Sequence, residues 1–204
     1  LAVVEKQTEP NLVLNYKKTD QTHFVLGFRS FNMFDDKKYA LGVMAKILGG
    51  GMSSRLFYEV RERRGLAYYV RAEVNHYTDS GYLSISAGVN NEKAMEAIKV
   101  ILDEVNKIRT DNITEKELQR AKDNAEGSMA LGLEHSDGVA MSYADSVLFH
   151  NKVLTPEEEL AKIKAVTLEQ IKSVAEELFV NEKLNLALIG PFEDAEPFKK
   201  ILKL

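Results

Sequence analysis

The sequence predicts an α+β fold in which a mostly antiparallel sheet is covered on one face by helices. Leu66–Tyr77 alternates apolar and polar residues, breaks at Thr78-Asp79-Ser80-Gly81 and returns as a second alternating run, Tyr82–Val89. That is the pattern of an antiparallel hairpin. From Asn90 onward the apolar spacing becomes helical and stays so until a short apolar run near the end. Strand and helix signals are thus partly segregated along the chain, which favours α+β over alternating α/β.

Residues 1–11 are mixed, carry Pro10 and read as a leading strand or linker. Leu12–Lys17 is the first clear strand candidate and Thr22–Ser30 the second, with Phe24, Leu26 and Phe28 on one face. Asp35 and Asp36 favour a helix start at its positive end. The body of that helix, Tyr39–Leu48, reads YALGVMAKIL, apolar nearly all round and so expected to be buried on several sides. Gly49, Gly50 and Gly51 end it, and glycine's access to backbone angles closed to other residues predicts a sharp reversal there. Serines then open a short helix carrying Arg55, Arg61, Arg63 and Arg64; Gly65 stops it, and a strand begins at LAYYV.

Regular alternation in that strand places Leu66, Tyr68, Val70, Ala72 and Val74 on one side, with Tyr69, Arg71, Glu73 and Asn75 on the other. Leu83, Ile85, Ala87 and Val89 face together on the return strand. Ala94, Ala97, Ile98, Ile101, Leu102 and Val105 keep the helical period. Thr114 with Glu117, Thr155 with Glu158, and Thr167 with Gln170 form capping boxes that start further helices, with Pro156 at a first helical position. Ser136–Phe149 reads as another helix. Leu184–Ile189 is a short buried strand ended by Gly190-Pro191, and a last helix runs through Pro197, Phe198, Ile201 and Leu202. No low-complexity segment or short repeat interrupts the order, so residues 1–204 read as one domain. The first residue is Leu1 rather than Met, which suggests a piece excised from a longer, two-domain chain.

Composition narrows the function classes. A net charge of -4 argues against a nucleic-acid binder. The absence of cysteine removes disulfides, thiolate metal sites and thiol nucleophiles together. No apolar run reaches the roughly 18 residues that span a bilayer, and no signal peptide is visible. A cytoplasmic setting is the resulting expectation.

Few residues carry a chemical signal. None of His23, His76, His135 and His150 has a second histidine at helical ligand spacing. Glu134-His135 sits in LGLEH, where Leu131 occupies the place of the first histidine of an H-x-x-E-H zinc site; His135 reads as a helix-terminus residue. His23 reads as a satisfied structural histidine and His76 as a solvated one near the turn. Gly51-Met52-Ser53-Ser54 lacks the second glycine of a nucleophile elbow, and the glycine triplet follows a helix with no Gly-Lys-Ser/Thr, so it is no phosphate loop. The arginines between Arg55 and Arg64 read either as a solvated face paired with Glu59 and Glu62 or as the source of one carbonyl or carboxylate clamp.

The stretch LGGGMSSRLFYEVRERRGLAYYV, followed by DSGYLSISAGV, resembles the M16 metallopeptidases, which include insulin-degrading enzyme, pitrilysin and the mitochondrial processing peptidase. The likeness extends over essentially the whole chain, from KTDQTHFVLGF to NLALIGP. It implies a half-domain of a two-half zinc endopeptidase. Tyr39–Leu48, where the zinc motif would stand, has neither His nor Glu, so the chain resembles the second, non-metal-binding half. The resemblance implies no metal in this chain, zinc in an H-x-x-E-H-bearing partner half, and no activity alone. It implies that the partner is on the same polypeptide or a separate subunit, that a peptide or unfolded protein is the substrate, and that a homo-oligomer is possible. It assigns substrate binding and oxyanion stabilisation to an arginine and a tyrosine seven residues on, matched by Arg61 and Tyr68, with Tyr69 the second choice because alternation points it outward. The alternative is a catalytically inactive scaffold subunit of the same fold. The short Gly49–Gly51 loop gives no support to a specialised presequence-handling role.

Overall fold

The computed structural model describes residues 3–110, 113–150 (for His150, the backbone only) and 153–204. Leu1 and Ala2, the start of the expected leading segment, lie outside the described residues. Among those described, strands β1 (Asn11–Tyr16), β2 (Gln21–Ser30), β3 (Ala67–His76), β4 (Gly81–Asn90) and β5 (Leu184–Gly190) form one sheet in the order β1-β5-β2-β4-β3. β1 and β5 pair in parallel and all other neighbours antiparallel. The helices are α1 (Lys37–Gly49), α2 (Ala94–Thr110), α3 (Glu115–Leu133), α4 (Ser136–His150), α5 (Pro156–Lys164), α6 (Leu168–Leu178) and α7 (Glu196–Ile201). The fold is α+β, as the sequence predicts.

Period-two alternation decides which face of the sheet meets the helices. Phe24, Leu26 and Phe28 of β2, Leu83, Ile85, Ala87 and Val89 of β4, and Leu184, Leu186 and Leu188 of β5 are all buried on one face. Apart from the smaller Ala87, each such side chain stabilises the fold by about 1.5–3 kcal/mol relative to exposure. α1 lies against β3 and packs on α3 and α6 as well, which is why eight of its residues are buried. All three expected capping boxes are present, each with a threonine hydroxyl accepting from the backbone three residues on. At α1 the capping oxygen comes from Asp35, which accepts from the Lys37 N–H at 2.8 Å, while Asp36 makes no side-chain cap.

The other face of the sheet is open. Its outward positions align in rows across the strands: Val13, Ala187, Val25, Ser86 and Arg71 form one, and Asn15, Ile189, His23, Gly88 and Tyr69 the next. β5, expected to be buried throughout, is therefore buried on alternate residues only, with Ala187 and Ile189 exposed. His76 also departs from expectation: its Nδ1 lies 2.8 Å from the Phe31 carbonyl in a partly buried setting. His135 is exposed at the α3–α4 junction, and none of the described side chains of α4 is buried. No helix among the described residues is long and apolar enough to cross a membrane.

Candidate functional site

The stretch between α1 and β3 is built around close backbone approach. A Cβ on Gly49 would lie 2.4 Å from the Ala72 backbone nitrogen, and one on Gly50 2.6 Å from the Lys46 Cα. These glycines are needed for space, not for a positive φ, which among the chain's glycines belongs to Gly65 at 57°. The sharp reversal expected at the triplet thus has a different cause: α1 must touch the edge strand before the chain turns. A groove of about 570 Å³ runs beside them, lined by Gly42, Lys46, Met52, Phe57 and the β3 stretch Val70–Val74.

After the loop, buried Ser54 donates its hydroxyl to the Gly51 carbonyl at 2.6 Å and starts the next turn of helix. The helix then widens into a π-helical turn over Phe57–Glu62, with the Arg63 N–H bonded to the Tyr58 carbonyl five residues back at 2.8 Å. Leu56 and Val60 anchor it in the core. Such turns are uncommon and concentrate at functional sites.

The four arginines divide sharply. Arg55 binds Glu117 of α3 through two hydrogen bonds of 2.6 and 3.1 Å. Burial alone would raise the Glu117 carboxyl, but Arg55 and the N–H and hydroxyl of Thr114 outweigh it and hold the group at about 2. Arg63 and Arg64 both bind the Glu59 carboxylate, and the Arg64 guanidinium, which contributes most, holds that carboxyl below its usual range. Arg61 makes no ion pair among the described residues; its guanidinium lies 5.0 Å from the centre of the Phe57 ring and is exposed.

The two tyrosines are separated by a β-bulge. Ala67 stands opposite Val89 and Tyr69 opposite Gly88, leaving Tyr68 as the extra residue. The regular alternation that grouped Tyr68 with the apolar side therefore fails at the start of the strand: Tyr68 is 55% exposed. Tyr69 belongs to the open face, as alternation indicates. Its ring crosses Gly88, where a Cβ would come within 2.5 Å of it, and its hydroxyl lies 3.1 Å from His23 Nδ1. His23, read from sequence as a structural histidine, is exposed and partnered with that phenol. The pairing joins residues on β2 and β3 through β4, so it follows from strand register and carries no local sequence signal.

The residues of α1 do not fit a metal. Its body contributes no histidine or glutamate, and no group of three potential ligands occurs among the described residues.

Residues 2–125 match the sequence family described as Peptidase M16 inactive domain. A relative in Bacillus subtilis, the uncharacterized zinc protease YmxG, is 37% identical over 175 residues, covering 86% of this chain and 42% of the relative. A protease from Helicobacter pylori superimposes with a TM-score of 0.83 at 25% identity, covering 91% of this chain and 45% of that one. A chain of Complex III from Candida albicans gives a TM-score of 0.83 over 95% of this chain and 49% of its own, at 18% identity, a likeness of fold. The chain spans 39% to 44% of the length of the curated relatives it matches.

Proposed function

Because the chain belongs to the M16 peptidase family, as a domain of its inactive type, we propose that it is the substrate-binding, non-metal-binding half of a zinc endopeptidase. It closes over a peptide or unfolded protein and presents its open sheet face to the enclosed chamber. The metal and the general base belong to the H-x-x-E-H half that faces it.

Arg61 carries this reading. Three neighbouring arginines are committed to ion pairs that hold the turn in place, while Arg61 is exposed and unpaired among the described residues. Its planar fork of donors suits peptide carbonyls, and the Phe57 ring beneath restricts where it points. The bulge leaves Tyr68, seven residues later, exposed to solvent, where its phenol can donate an O–H to a peptide backbone. Donors fixed in place before reaction stabilise negative charge developing on a carbonyl oxygen without reorganising. Tyr69, steadied by His23, is the second contact.

The test is zinc-dependent cleavage of an unfolded peptide by this chain, by an H-x-x-E-H half-domain, and by both. Cleavage is expected only from the mixture. Arg61→Ala or Tyr68→Phe should lower kcat by roughly 10²-fold, the scale of losing one oxyanion donor, whereas Arg63→Ala should leave it near wild type. Equal cleavage by the H-x-x-E-H half alone would reduce this chain to a scaffold.

A further inference from the structure

Helix α4 is apolar, and the described structure does not bury it. Its described side chains, at residues 136–149, include no buried one; Leu148 is 73% exposed and Met141 64%. At 3.6 residues per turn, Val139, Met141, Tyr143, Leu148 and Phe149 point to different sides of the helix. Such a helix has no single apolar stripe to lay on a surface. It is the kind that becomes enclosed. The end of α3 continues the feature: its buried positions stop at Ala125, and Leu131 is 64% exposed.

The arm also has a charge signature. Gly127–Phe149 holds Glu134, Asp137 and Asp145 and no lysine or arginine, so it carries most of the chain's net charge of -4. None of the three carboxylates is ion-paired among the described residues. A second copy of the same arm would bring like charges together as the helix is desolvated, which disfavours self-docking. A bound peptide would cover one side of α4 only. A folded domain can enclose it, and more than half the length of each curated relative lies beyond the portion this chain matches.

We propose that the α3–α4 arm is the surface through which this half docks on its H-x-x-E-H-bearing counterpart, and that it enters there an apolar recess edged by lysine or arginine. This rests on the functional reading above and names the contact that reading requires.

The chain has no cysteine, so Leu148→Cys can carry a single photo-crosslinker. With a separately expressed H-x-x-E-H half-domain as probe, the label should crosslink to that half-domain next to basic residues. The unlabelled double variant Met141→Asp with Leu148→Asp should bind it roughly 100-fold more weakly, the scale of losing central apolar anchors. Both positions are exposed, so its thermal midpoint should match wild type. Asp137→Lys with Asp145→Lys should weaken binding about tenfold and reduce its sensitivity to salt. Unchanged affinity in the double aspartate variant overturns the proposal, as does crosslinking only to a second copy or to added peptide. If the halves bind and cleave together regardless of the arm, this inference alone fails; if they neither bind nor cleave, the functional reading fails with it.

Discussion

Two glycines in one helix should respond to the same substitution with opposite sign. In Gly49→Ala the new methyl carbon would stand 2.4 Å from the Ala72 backbone nitrogen and 2.8 Å from the Ala72 Cβ. Both obstacles belong to the edge strand and neither can swing aside, so either α1 or β3 must shift. Overpacking of this kind costs typically 1–3 kcal/mol, and because backbone meets backbone the upper end, about 3 kcal/mol, is expected. For a domain of this size that lowers the thermal midpoint by roughly 6–12 °C. In Gly42→Ala the methyl has nothing within 4 Å and enters the open groove beside β3. Only the helix propensity then changes, a gain of up to about 1 kcal/mol. Urea and thermal unfolding followed by circular dichroism would measure both variants. A Gly49→Ala protein within about 0.5 kcal/mol of wild type would refute the close approach of α1 to β3, and a destabilised Gly42→Ala would refute the open groove.

Two further outcomes follow from the same region. Glu117 is held at about 2 against an ordinary value of 4.5, so its contribution is fully present above pH 4.5 and is lost as pH falls toward 2. The displacement corresponds to about 3 kcal/mol at most; urea unfolding should show wild type losing more stability than Glu117→Gln across that window, and parallel losses would discount the Arg55–Glu117 strap. Gly88→Ala should push aside the Tyr69 ring, an exposed and movable obstacle, and break its hydrogen bond to His23 at a cost of about 1 kcal/mol or less. Ring NMR signals of His23 should move while the unfolding midpoint barely does; an undisturbed His23 signal would deny the contact.

Most of the fold is legible locally because its determinants are local. The Thr-x-x-Glu/Gln starts of α3, α5 and α6 and the alternation of β4 each need only a few neighbouring residues, and all are found where the sequence places them. What escapes is set by partners distant in sequence. Ala187 and Ile189 look like core residues until β5 is known to have an open side. His76 looks solvated until Phe31, far earlier in the chain, offers its carbonyl. The glycine triplet announces a constraint, yet whether the constraint is torsion or space depends on Ala72 lying beneath it.

The candidate site repeats that division on a smaller scale. The resemblance to the M16 family points to Arg61 and Tyr68, but by spacing alone four arginines within ten residues look alike on paper. They become different only when Glu117 arrives from α3 to take Arg55, and when the π-helical turn presents Glu59 to Arg63 and Arg64. Pairing three of the four fixes the turn at both ends and leaves the remaining cation exposed on an aromatic ring. The bulge acts similarly on the tyrosines. One extra residue sends Tyr68 out of the apolar face that regular alternation would assign it, without altering the register of Val70 and Ala72 in the core. In both places a local irregularity frees a polar side chain while the packing around it is kept. That separation leaves Arg61 and Tyr68 exposed while the core packing around them is kept, which is what sets them apart from their neighbours.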